Sequence, residues 1–111
     1  MDMHTDWNEN RALLRGTAEA APAWSHETHG VVYELFPLTV LRLSGWADRV
    51  NVLAPRPLLE ACPVEEGTPV EVEGEVRSFN NRSGQGSRLV ITLHARALRP
   101  GSGPDENRLT L

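Results

Sequence analysis

From Pro69 to Asn80 the chain alternates with a period of two, placing Val70, Val72 and Val76 on one side and Glu71, Glu73, Glu75, Arg77 and Phe79 on the other. That period belongs to a β-strand with one face on a core and the other in water, because successive side chains of a strand point to opposite faces. Shorter apolar runs of the same kind recur along the chain between Gly, Pro, Asn and Ser, the spacing of an all-β barrel or sandwich. A chain of 111 residues supports one domain with a modest core. A doubly wound or large barrel enzyme with a deep cofactor cleft is therefore excluded.

Five strands are predicted. The first covers about Arg11 to Ala20. The second, Val31 to Leu43, sets Phe36, Leu38 and Val40 against Pro37, Thr39 and Leu41, and Pro37 implies an edge or a bulge because proline donates no ladder hydrogen bond. The third covers Asp48 to Leu53, the fourth Pro69 to Asn80, and the fifth Arg88 to Arg99, with Leu89, Ile91, Leu93, Ala95 and Ala97 expected inward. One helical segment, Arg56 to Ala61, lies between Pro55 and Pro63. Five strands with a short helix between strands three and four are the plan of the OB-fold barrel. An SH3-like barrel, which lacks that helix, ranks second. Residues 1–9 read as a flexible leader, 10–99 as the OB-fold domain and 100–111 as a flexible tail.

Membrane insertion is not expected, since the uncharged run Leu35 to Leu41 is too short to cross a bilayer. The acidic opening from Met1 to Trp7 lacks the apolar run of a secretory signal. A single cysteine, Cys62, makes no intrachain disulfide and fits a reducing, cytoplasmic compartment.

No catalytic constellation stands out, and neither a metal nor a cofactor is expected. His26 and His29 lie three apart, but no further ligands complete a zinc set, so two ordinary histidines are the expectation. Cys62 sits beside Pro63 and acids, which do not favour a thiolate.

Charge points to binding. All eleven basic residues are arginine, and the formal net charge is -4. Arg77, Arg82, Arg88, Arg96 and Arg99 occupy an acid-free stretch from Val76 to Pro104, directly after a block of Glu60, Glu65, Glu66, Glu71, Glu73 and Glu75. Two electrical poles on one barrel follow as the expectation. The arginine fork pairs with phosphate bidentately and stacks on bases, and an OB-fold holds oligonucleotides on its strand two–three face and on loops one-two and four-five. The candidate nucleic-acid contacts are Arg42, Arg49, Arg77, Arg82 and Arg88 for phosphate, Asn80 in the loop, and Trp24, Tyr33, Trp46 and Phe79 for stacking. Trp24 and Trp46 are expected in loops, where plugging the barrel is the competing role. Arg96 and Arg99 are expected as solvated or ion-paired charges. A protein-interaction module that docks a basic partner on the acidic strand-four face is the alternative function.

The stretch from Asn10 to Leu98 resembles small bacterial single-stranded DNA-binding proteins of the OB-fold related to the primosomal protein PriB. The resemblance rests on Ser25-His26-Glu27 with Gly30 and Tyr33, Leu41-Arg42-Leu43-Ser44, Pro57-Leu58-Leu59, and Gly74-Glu75-Val76-Arg77-Ser78-Phe79-Asn80 ahead of Arg88-Leu89-Val90-Ile91-Thr92. It implies binding of single-stranded DNA in replication or repair, without catalysis, by a homo-oligomer with a dimer favoured, and it leaves RNA and a replication-protein partner open. Arg77 to Asn80 and Tyr33 are the matched positions that carry most weight. The absence of lysine and His94 at an expected aromatic position are departures, as is a C-terminus without an acidic, phenylalanine-ended tip.

Overall fold

The computed structural model describes residues 9–82 and 86–102. Six strands and one helix follow in the order β1 Ala12–Ala18, β2 Ala23–Thr28, β3 Val31–Leu41, β4 Ala47–Pro55, α1 Arg56–Ala61, β5 Pro69–Arg82 and β6 Ser87–Pro100. The sheet order is β1-β5-β6-β4-β3-β2, and an additional β1–β3 pairing closes the ring. All pairings are antiparallel except β4 with β6. This is the expected OB-fold barrel, with the helix between the expected third and fourth strands.

β1 matches the expected first strand, and the extra strand, β2, occupies what was expected to be loop one-two. β1 pairs with β5 and, at Thr17 and Ala18, with β3; β2 then pairs with the beginning of β3. Pro22 lies in the gap. Pro37 of β3 faces the same gap, where its carbonyl accepts a hydrogen bond from the Glu19 N–H at 2.9 Å. Pro37 therefore sits at an interruption of the ladder and not on an edge strand, which spares the missing N–H. β2 and β3 are joined by His29 and Gly30 alone, with φ of 53° and 81°. Two successive positive φ values give the tight turn whose twist matches a hairpin.

The barrel interior follows the predicted alternation of β3 and β4. Phe36, Leu38, Val52 and Ala54 are fully buried with Val70 and Val72 of β5 and Leu93 of β6. Each large apolar side chain so buried contributes about 1.5–3 kcal/mol relative to exposure. The helix closes one end. Its start is set by Pro55 and an early proline, its end by the Cys62 N–H donating to the Leu58 carbonyl, and Leu59 and Val64 join the core.

Two expectations for β5 and β6 are corrected. Val76, Leu89 and Ile91 were expected inside and are exposed. β1 reaches β5 only as far as Gly74, and β4 reaches β6 only from Thr92 to His94, so the rest of the β5–β6 hairpin outruns the barrel as a two-stranded arm. Ala97 is the other correction. Glu73 pairs with Ala97 but Gly74 with Ala95, so Arg96 is an extra residue that bulges from β6. The bulge shifts the parity, and Leu98 rather than Ala97 packs against the core. Gly74 makes the bulge feasible, because a Cβ there would overlap the His94 carbonyl. β6 runs to Pro100, and the Gly101 N–H donates to the Pro69 carbonyl at 3.0 Å. The leader and most of the tail lie outside the described residues.

Candidate nucleic-acid interface

Since Phe36, Leu38, Val52 and Ala54 point into the barrel, the alternate residues of β3 and β4 form its outer face. Along β3 these are Tyr33, Leu35, Pro37 and Thr39, paired in register with Pro55, Leu53, Asn51 and Arg49 of β4. β6 runs parallel to β4 with His94 beside Leu53 and Thr92 beside Asn51. β5 continues the same face, with Glu75 opposite His94, Arg77 opposite Thr92, and Phe79 opposite Val90. The face therefore crosses β3, β4 and β6 and runs out along one side of the arm.

Where these strands curl toward β2 they enclose a groove of about 330 Å³ lined by His26, Tyr33, Leu53, Pro55, Glu75, Arg77, His94 and Arg96, with Thr28 and Ala95. Its lining combines apolar Leu53, Pro55 and Ala95 with charged Glu75, Arg77 and Arg96. The His26 and Tyr33 rings are stacked, with centroids 4.9 Å apart and planes inclined by 11°. The stack depends on a bulge: Trp24 pairs with Glu34 but His26 with Tyr33, so Ser25 is the extra residue. Ser25 Oγ lies 2.9 Å from His26 Nδ1, which holds the imidazole in place. The His94 pKa is lowered from its usual value, mainly by burial, then by Arg77, with Glu75 opposing and His26 reinforcing. His94 is thus a neutral donor and acceptor at neutral pH.

The expected contacts divide between this face and elsewhere. Tyr33 and Arg77 line the groove. Phe79 is 56% exposed on the same side of the arm, and Arg88, paired with Asn81, shares that side by register. Arg49 lies on the outer face of β4 and pairs with Glu19 at 3.3 Å. Asn80 is opposite Leu89 and so belongs to the other side of the arm. Arg82 ends β5, and its side chain lies outside the described residues, as does most of loop four-five. Arg42 is held bidentately by Asp48 at 2.8 and 2.7 Å across the β3–β4 turn, and the arginine depresses the aspartate pKa.

Trp46 is in the β3–β4 turn as expected, whereas Trp24 is on a strand and not in a loop. Trp24 is on β2, paired with Glu34, whose side chain meets Arg56 of the helix; neighbouring residues of a strand face opposite ways, so Trp24 is turned from the Tyr33 face. At 64% and 73% exposure, neither Trp24 nor Trp46, which lies in the β3–β4 turn, plugs the barrel. His26, His94 and Arg96 were not singled out for this site. Strand parity signals His94 and Arg96, since Leu93 and Ala95 must face inward, but the bulge that delivers His26 has no sequence signature of its own.

The expected acidic row on β5 is neutralised. Glu71 is bonded by Arg15 and Arg99, Glu73 by Arg11 and Arg99, and Glu75 by Arg77 and Arg96. Three carboxylates meet five guanidiniums, because Arg11 and Arg15 approach β5 from the β1 side, Arg96 and Arg99 from β6, and Arg77 from β5 itself. The arginines lower the pKa of all three glutamates. The Glu71–Glu73–Glu75 half of the six-glutamate block is thereby turned into an ion-pair lattice with a local excess of positive charge, while Glu60, Glu65 and Glu66 remain exposed near the helix. His26 and His29 share no metal-binding cluster, and no group of three or more metal-ligating side chains is found among the described residues.

Fold and groove together define an OB-fold protein with an aromatic and basic outer face. Among solved structures, the dimeric N-terminal domain of the PriB protein from Thermoanaerobacter tencongensis is similar at 31% identity and a TM-score of 0.74, covering 86% of this chain and 100% of that one. The chain belongs to the PriB family. No family model and no curated protein matches it.

Proposed function

We propose that the protein binds single-stranded DNA, with little sequence preference and without catalysis, as a primosomal-type factor in DNA replication or repair. The observation that carries this is the single continuous face formed by Tyr33, His94, Arg77, Phe79 and Arg88. Rings on such a platform stack on any base, while arginines follow the backbone. Four arginines, Arg49, Arg77, Arg88 and Arg96, are within or beside the track. With about four phosphates engaged, log affinity for a single strand falls with log salt at a slope near -3. The net charge of -4 limits affinity without opposing binding, because the carboxylates nearest the track are ion-paired.

Titration of labelled oligo-dT at several salt concentrations tests this. Absence of binding at low salt, or binding indifferent to salt, contradicts it, and a parallel titration with oligo-U decides between DNA and RNA. A homodimer in a cytoplasmic setting completes the proposal. It is supported by the dimeric state of the similar PriB domain and by β2, which pairs on one side only among the described residues. No helix among the described residues is long and apolar enough to cross a membrane. Contact with a replication-protein partner is part of the same proposal. The ion-paired Glu71–Glu73–Glu75 row supplies no open acidic surface for such a contact.

A further inference from the structure

His94 lines the groove, and its surroundings differ from those of an ordinary surface histidine. It is partly buried on β6, with Leu53 of β4 beside it, Glu75 and Arg77 of β5 across the ladder, Arg96 on its own strand, and His26 and Tyr33 of β2 and β3 on the facing wall. Glu75 is already committed to Arg77 and Arg96. The carboxylate next to His94 is therefore shared among cations, and the imidazole lacks an anion of its own.

Resting on the single-strand-binding proposal, we infer that His94 is the proton-linked contact of the groove, taking up a proton from solvent when a phosphodiester of bound single-stranded DNA settles against Arg77 and Arg96. No covalent bond changes. The phosphate supplies the missing negative charge, which stabilises the imidazolium and screens it from Arg77. In the free protein, burial, Arg77 and His26 all disfavour that charge, and the shared Glu75 carboxylate opposes them. The proton and the strand then favour each other reciprocally. His26 is a weaker candidate, since its Nδ1 is engaged by Ser25 and its face by Tyr33.

Linkage gives the size of the effect. One proton taken up on binding makes affinity rise by at most about tenfold for each pH unit of acidification, between the pKa of the free and of the bound state. The experiment is anisotropy of labelled oligo-dT from pH 8 to pH 5.5 at constant ionic strength, on the wild type, His94→Gln and His26→Gln, with circular dichroism as the check on folding. Thymine has no group that titrates in this range. Calorimetry in two buffers of different ionisation enthalpy counts the protons. The expected result is a rising affinity toward acid in the wild type and His26→Gln, proton uptake approaching one, and a flattened pH profile in His94→Gln. A wild type that binds with equal affinity across the range overturns the inference while leaving single-strand binding intact. A slope that survives in His94→Gln overturns it as well. Absence of binding at every pH contradicts the proposed function itself and the inference with it.

Discussion

The His26 imidazole lies nearly parallel to the Tyr33 ring, 4.9 Å away, and the two are brought together by a one-residue bulge at Ser25. Without that bulge His26 would share the face of Trp24. Instead the chain presents a two-ring stack at one end of a groove whose other wall carries Arg77, His94 and Arg96.

The stack makes Tyr33 and Trp24 a matched pair for mutation. Tyr33→Ala is expected to weaken oligo-dT binding by roughly 5- to 150-fold, the range of about 1–3 kcal/mol for a lost base-stacking ring. Trp24→Ala, on the opposite face of β2, is expected to change affinity by less than about twofold. Anisotropy titrations of both variants at one salt concentration measure the difference.

At Gly74 the backbone of β5 lies tight against that of β6. A Cβ at residue 74 overlaps the His94 carbonyl, and backbone on both strands must shift to admit it. Gly74→Ala is therefore expected to destabilise the fold by about 1–3 kcal/mol or more, read from the urea midpoint. The shift also disturbs His94, so oligo-dT affinity falls in the variant even at temperatures where it stays folded.

Acid is expected to weaken the barrel. Hydrogen bonds from arginine, Arg15 first for Glu71, Arg99 first for Glu73, Arg77 first for Glu75 and Arg42 for Asp48, hold these carboxylates below their ordinary pKa. A folded-state pKa below the unfolded value means that the unfolded chain binds protons first as pH falls. The stabilisation is thus fully present above the ordinary carboxylate range, about pH 4–5, and is lost as pH drops through that range to the lower folded values. Urea midpoints measured from pH 7 to pH 3 are expected to be level and then decline. Added salt reduces the decline, because these pairs are at the surface.

Much of the fold was legible because burial enforces period two. Phe36, Leu38 and Val40 against Pro37 and Thr39, and Val70 and Val72 against the glutamates, fix which face of each strand is inside. The helix was legible from the prolines around it. What local pattern does not contain is where one strand outruns its neighbours. Leu89 and Ile91 continue the apolar alternation of β6 into an arm that no third strand covers, so the same pattern is buried at Leu93 and exposed at Ile91.

The candidate site was legible in part for the same reason. Tyr33, Arg77, Phe79, Arg88 and Arg96 follow from parity, whereas His26 depends on the bulge at Ser25, which moves it from one face to the other. The glutamate row shows a further limit. Composition along the chain separates acids from bases, but the sheet interleaves β1 and β6 arginines with β5 glutamates and cancels the separation.

The most direct measurement is a two-dimensional amide spectrum of the labelled protein titrated with oligo-dT. The expected perturbations form one track through Tyr33, Asn51, Leu53, His94, Arg77, Phe79 and Arg88, with Trp24, Glu71 and Glu73 unaffected. Perturbations centred on the Glu71–Glu73 lattice or on the Trp24 side of β2, with the Tyr33 face silent, would contradict the assignment of the groove as the single-strand-binding site.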